Sequence, residues 1–190
     1  MSEKLQYTCL VLLCFASTGF ANTEDFYVDI QHQPGNIYVF ELSFLVNATP
    51  EKVLHVLTDY ENLHRLNSSI RSSRILDFEQ PGITRVEVVA RNCILFFCKT
   101  LTRVEDVRVD DNLNLEATLV PELSNFKSGE TFWTFTELEG KTRVTMQGQM
   151  VPDFWVPPLI GPHTIMKRLR QQMRQAADKL NELTRIQEND

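Results

Sequence analysis

Apolar residues recur along this chain in two rhythms. Period two dominates the middle and period 3.6 takes over at the end, and the change comes at a proline-rich segment after Met150. From Ile37 to Val46 the residues Tyr38, Phe40, Leu42, Phe44 and Val46 share one face while Glu41 and Ser43 take the other, as a strand with one buried side requires. Thr49-Pro50-Glu51 then reads as a helix start, with a capping hydroxyl, a proline at the first helical position and an acid in the first turn. Val53, Val56, Leu57 and Tyr60 form the stripe of that helix, and a second short helical stretch with Leu63 and Leu66 runs to Ser68-Ser69. Strands are expected over Arg74–Phe78, Thr84–Arg91, Lys99–Val109, Leu113–Val120, Gly129–Leu138 and Thr142–Met150, broken by Pro81-Gly82, Asp110-Asp111-Asn112 and Glu139-Gly140. The closing helix, His163–Arg185, carries Met166, Leu169, Met173, Ala176, Leu180 and Leu183 on one stripe.

A helix with one long apolar stripe after an antiparallel meander must lie against the sheet. The expected class is therefore α+β, a curved antiparallel sheet of about seven strands wrapped around the C-terminal helix, with two short helices after the first strand. The concave side of such a sheet is a natural place for an apolar ligand. Residues 36–186 form this one domain and residues 22–35, polar and ending in Pro34-Gly35, read as a loose lead.

The first 21 residues stand apart: Lys4 in a polar lead, an apolar run from Cys9 to Ala16, and the small residues of Gly19-Phe20-Ala21. That is the pattern of a secretory leader, and the run is shorter than the roughly 20 residues of a membrane-spanning helix. The expected destination is the periplasm. Without the leader the cysteines are Cys93 and Cys98, in a compartment that favours disulfides. Along one continuous strand they would stand roughly 16 Å apart, beyond a disulfide's reach of about 7 Å, so they bond only if the chain reverses between them. Net charge is -6, and with no dense block of Lys or Arg the chain does not read as a nucleic-acid binder.

Two motifs carry a family resemblance. One is Asn47-Ala48-Thr49-Pro50-Glu51-Lys52-Val53 leading to Leu57-Thr58-Asp59-Tyr60-Glu61-Asn62-Leu63; the other is Gly129 with Trp133, followed by Gly140-Lys141-Thr142-Arg143-Val144. With the order of elements, they resemble the START-related helix-grip superfamily (SRPBCC), in particular its polyketide cyclase/dehydrase, lipid transport and coenzyme Q-binding branch. The resemblance implies a pocket for a hydrophobic molecule between the sheet and the closing helix; the residues themselves show no motif for a cofactor or metal.

On that reading the pocket is lined by Phe40, Leu42, Phe44, Val86, Val88, Trp133, Met146, Met150, Met166, Leu169 and Met173. Alternation turns Val86, Val88 and Ala90 inward, with Val144, Met146, Gly148 and Met150; Phe132, Trp133 and Phe135 cannot all share a side. Two apolar segments could form a lid or meet a membrane. In Cys93–Cys98, the residues Ile94, Leu95, Phe96 and Phe97 either cap a hairpin clasped by a disulfide or continue a buried strand. After Met150 come Phe154, Trp155, Leu159 and Ile160, in a stretch where four prolines, Pro152, Pro157, Pro158 and Pro162, forbid regular structure. Lys167, Arg168, Arg170 and Arg174 follow and could face anionic lipid, or simply water.

Candidates for catalysis are few. Tyr60, His64 and Arg103 could reach the pocket; Arg103 and Glu105 share parity with Val107, and either they point inward and pair as buried charges or this face is the solvated one. His55 falls off its helix's stripe, and the histidines show no metal-ligand spacing. Three functions remain open: an exported carrier of a lipid, fatty acid or quinone-like molecule, a cyclase or dehydrase acting on a polyketide-like substrate, and a module that docks on a membrane or a partner.

Overall fold

The computed structural model describes residues 25–94, 97–156 and 161–186. Eight strands form one antiparallel sheet: β1 Phe26–Gln33, β2 Ile37–Val46, β3 Ile70–Leu76, β4 Thr84–Ile94, β5 Phe97–Val109, β6 Leu115–Leu119, β7 Phe126–Leu138 and β8 Lys141–Pro152. Their order across the sheet is β1-β2-β8-β7-β6-β5-β4-β3, so each strand from β3 to β8 pairs with its neighbours in sequence and only the β2–β8 pairing joins distant parts of the chain. Helix α1 spans Pro50–Leu57, a 3₁₀ turn covers Leu63–Arg65, and α2 spans Gly161–Ile186. This is the α+β helix-grip arrangement.

Alternation places the core. In β2, Tyr38, Phe40, Leu42, Phe44 and Val46 are all buried, and opposite them in β8 stand Met150, Gly148, Met146, Val144 and Thr142. Gly148 has to be glycine: a Cβ there would lie 2.8 Å from the Phe40 ring and 2.9 Å from Thr131 Cγ2, and would strike the Glu130 carbonyl. Phe132 turns out to solvent while Trp133 and Phe135 turn in, as the pairing of Trp133 with Met146 and Phe135 with Val144 dictates.

The sheet has one strand more than the seven expected, because residues 22–35 are not wholly loose. Phe26–Gln33 pairs with β2 from Phe26 opposite Phe44 to Gln33 opposite Ile37. Its apolar stripe is only Phe26, Val28 and Ile30, which suffices for an edge strand but is hard to tell from a polar lead by composition. The turn that follows uses left-handed backbone at Gly35 (φ 84°) and Asn36 (φ 62°), residue types that tolerate it.

The start of α1 also differs from expectation. Thr49 sits at the N-cap in extended backbone, but its hydroxyl caps no helix N–H. It faces Glu51 instead, and the Glu51 backbone N–H and this hydroxyl together hold that exposed carboxyl below its usual range. The second helical stretch shortens to the single 3₁₀ turn, and β3 begins at Ile70, before the expected Arg74.

Candidate functional site

The register assigns every inward residue to a row across the concave face. One row reads Val28, Leu42, Met146, Trp133 and Leu115; another reads Ile30, Phe40, Gly148, Thr131, Ala117 and Val107. Phe44, Val86, Val88 and Met146 are buried, while Trp133, Met150, Met166, Leu169 and Met173 are half-buried and pack against the core. The expected lining residues thus share one face, contributed by β2, β4, β7, β8 and α2. Four of the chain's five methionines, Met146, Met150, Met166 and Met173, belong to it. Unbranched thioethers repack around irregular shapes at little cost, so such a lining accommodates ligands of different outline.

One charged pair is partly buried on this face. The outer face carries ladder pairs such as Arg74–Glu87 at 2.7 Å and Arg85–Asp106 at 2.6 Å. Inside, Arg103 stands opposite Val88 and Glu105 opposite Val86 and Leu119, with Arg103 Nε 3.1 Å from Glu105 Oε2. The pair is close but not aligned: the Nε–H points at no acceptor among the described residues, and the atom is fully buried. Tyr60, after α1, comes near enough to Glu105 to feel its charge. Burial first and the Glu105 carboxylate second push the Tyr60 phenol up to about 12, so at neutral pH it is a hydrogen-bond donor rather than a base.

Two further side-chain atoms share the condition of Arg103 Nε. Tyr38 Oη and Ser73 Oγ are buried without a hydrogen-bond partner among the described residues, and pairing places both side chains on the same concave face, Tyr38 opposite Met150 and Ser73 opposite Val88. Burial raises the Tyr38 phenol as well. Neither residue stood out in the sequence: Tyr38 reads as one more core aromatic, and Ser73 precedes the expected start of its strand. His64 is exposed on the 3₁₀ turn and so does not join Tyr60 and Arg103; His55 is exposed too.

The helix closes the face unevenly. At its C-terminal end Asn181 donates to the Leu45 carbonyl at 2.9 Å and accepts from the Asn47 N–H at 3.0 Å. Further up, Arg174 lies over the Phe26 ring at 4.0 Å and Arg170 reaches Asp29 at 3.9 Å, so two of the four basic residues from Lys167 to Arg174 on this helix meet β1. On the opposite flank Gln172 donates to Asn92 at 2.6 Å and Gln175 to Ser68 at 3.4 Å.

Cys93 and Cys98 stand directly opposite each other where β4 turns into β5, and a disulfide joins them. The segment is a hairpin tip, so the alternative of a single continuous strand is corrected: the chain reverses after Ile94, which pairs with Phe97. The side chains of Ile94 and Phe97, and the whole of Leu95, Phe96, Leu159 and Ile160, lie outside the described residues. Phe154 meets Phe126 edge-on at 6.0 Å and receives the Lys99 ammonium over its ring at 4.5 Å, which ties the loop after β8 to the base of the hairpin tip. Trp155 is 79% exposed. Two adjoining clefts, of about 350 and 630 Å³, open here between this loop and the β1–β2 turn. Among the described residues no group of His, Cys, Asp and Glu is arranged to hold a metal, and no helix is long and apolar enough to cross a membrane.

Comparison with solved structures returns the same architecture at low identity. The StAR-related lipid transfer protein fragment of Xanthomonas axonopodis superposes with a TM-score of 0.64 at 14% identity, over 86% of this chain and 96% of its own. Human StAR-related lipid transfer protein 5 gives 0.66 at 8% identity, over 88% and 85%. The ZhuI aromatase/cyclase of Streptomyces sp. R1128 gives 0.65 at 12%, over 78% and 94%. At these identities the likeness shows the fold. No curated protein sequence matches. A family model does, over residues 39–184, and nothing in these matches singles out the coenzyme Q-binding branch. With three-quarters of its length inside that match, the chain belongs to the polyketide cyclase/dehydrase and lipid transport family.

Proposed function

We propose that the protein is an exported carrier for an amphipathic molecule, a lipid, fatty acid or quinone-like compound, held between the concave face and the N-terminal half of α2. One observation carries this reading. Arg103 Nε, Tyr38 Oη and Ser73 Oγ, buried polar atoms without a hydrogen-bond partner among the described residues, lie on one largely apolar face. A buried donor left unpaired costs about 1–3 kcal/mol, and a ligand bringing an oxygen acceptor to Arg103 or Tyr38 would recover it while its apolar body covers the methionines. Export is supported by the leader pattern of the first 21 residues and suits the paired cysteines.

Native mass spectrometry of protein prepared from the exported fraction, followed by organic extraction, tests the carrier. The expected result is a co-purifying compound that carries a carbonyl, carboxyl or hydroxyl group and is lost from Arg103→Met. Ligand-free preparations that bind no lipid class would overturn it.

One observation favours a second reading, a cyclase or dehydrase. A phenol held protonated beside Glu105 and Arg103 can polarise a substrate carbonyl. That reading requires turnover of a polyketide-like substrate that collapses in Tyr60→Phe and survives in the His64→Ala variant.

A further inference from the structure

The two ends of the sheet differ in charge. At the end where α1 and the C-terminus of α2 lie, the turns 77–83, 110–114 and 139–140 carry Asp77, Glu79, Asp110, Asp111 and Glu139 and contain no Lys or Arg. The opposite rim, where α2 begins, presents exposed Arg91, Lys99, Lys127, Lys167 and Arg168. Among the described residues its acids are Glu122 and Asp153, and Asp153 already lies 3.8 Å from Lys127. These five turn acids therefore sit far from the rim. β7, with 13 residues, runs from one end to the other, a distance of roughly 40 Å, against a Debye length of about 8 Å at physiological salt. An anionic surface at the rim would not sense the acidic turns.

The same rim carries the most exposed large apolar side chain described, Trp155, with Leu123 at 48% exposure on the neighbouring turn. Trp155 is presented rather than loose: its neighbour Phe154 is fixed between Phe126 and Lys99. An indole standing in water beside exposed cations suits a bilayer interface, where the ring enters the headgroup–acyl boundary and ammonium groups meet phosphates.

We propose that the rim docks on an anionic lipid bilayer, with Trp155 inserted, Lys99 and Lys127 against the headgroups, and the acidic turns directed away from the membrane. The clefts beside Trp155 then open onto the bilayer, at the end where α2 covers the concave face least. The docking does not depend on what that face binds.

Sedimentation of the purified full chain with phosphatidylcholine vesicles, with and without phosphatidylglycerol, tests it at physiological salt. The wild type should bind the anionic vesicles with a blue shift of tryptophan emission. Trp155→Ser should weaken binding by about tenfold, and Lys99→Gln and Lys127→Gln by about fivefold each. Asp77→Lys with Glu79→Lys raises the net charge further than either Lys substitution lowers it, yet should change binding by less than about twofold, because those turns lie beyond screening range. Melting curves of these exposed-site variants should coincide with the wild type. Failure of the wild type to bind, equal binding to neutral vesicles, or a gain from the acidic-end variant as large as the loss from the rim variants would each overturn the proposal.

Discussion

The two halves of α2 do opposite work on one stripe. Toward the C-terminus Ala177, Leu180, Leu183 and Thr184 are buried, Leu180 at 1% exposure, and Asn181 bonds to both Leu45 and Asn47. Toward the N-terminus Met166, Leu169 and Met173 pack against the core only half-buried, and Arg170, Arg174 and Gln172 hold the helix at its flanks. Both halves show the same apolar spacing. The difference is what lies beneath: β2 and α1 fill the space under the first, while the methionine-lined face and its unpaired polar atoms lie under the second. One half therefore anchors the fold, and the other leaves room for a guest.

Substitutions should separate the two roles. Leu180→Ala should cost the most stability, about 3 kcal/mol in urea unfolding, with ligand affinity unchanged once the protein is folded. Asn181→Ala, which strands the Asn47 N–H and the Leu45 carbonyl, should cost about 1.5 kcal/mol. Leu169→Ala should cost less than about 1 kcal/mol, since its site is already half open, but should weaken retention of the extracted compound. If Leu169→Ala proved as destabilising as Leu180→Ala, the two halves would be equivalent and the comparison would fail.

The smallest effect is in pH. Tyr60 holds its proton up to about 12 in the folded chain, against an ordinary value of 10.0. Between those values the unfolded chain releases the proton and the folded chain keeps it, so stability is unaffected below pH 10 and falls from pH 10 to 12. Tyr60→Phe should flatten that fall. Glu105→Gln should lower the phenol's midpoint without restoring it, because burial is the larger cause; absorbance titration of the phenolate reads both.

The fold was legible where period and length agree. The β2 alternation, the α2 stripe and the paired turn signals place seven strands and the long helix, because a strand with one wet face must alternate and a helix over a sheet must be striped. β1 escaped because an edge strand buries little, and three apolar residues in a polar stretch look like a lead. Of the candidate face, the inward strand positions followed from parity, whereas for Arg103 and Glu105 parity left an inward pair and a solvated face both open. Tyr38 and Ser73 were not legible as polar groups in want of partners, since that is a property of what surrounds an atom in space. The hairpin tip was left open between two readings because no Gly, Asn or Pro marks the reversal between Cys93 and Cys98.

The strand order has a kinetic consequence. β3 through β8 pair in sequence, so that meander can zip up by short loop closures, one hairpin at a time. The β2–β8 ladder, which sets Leu42 against Met146, and the docking of α2 against β1 and β2 each close a loop of more than a hundred residues, and the entropy of those closures is recovered only once the meander exists. The floor of the binding face would then form early and its walls and roof last, so a chain caught late in folding would present a finished but uncovered apolar sheet.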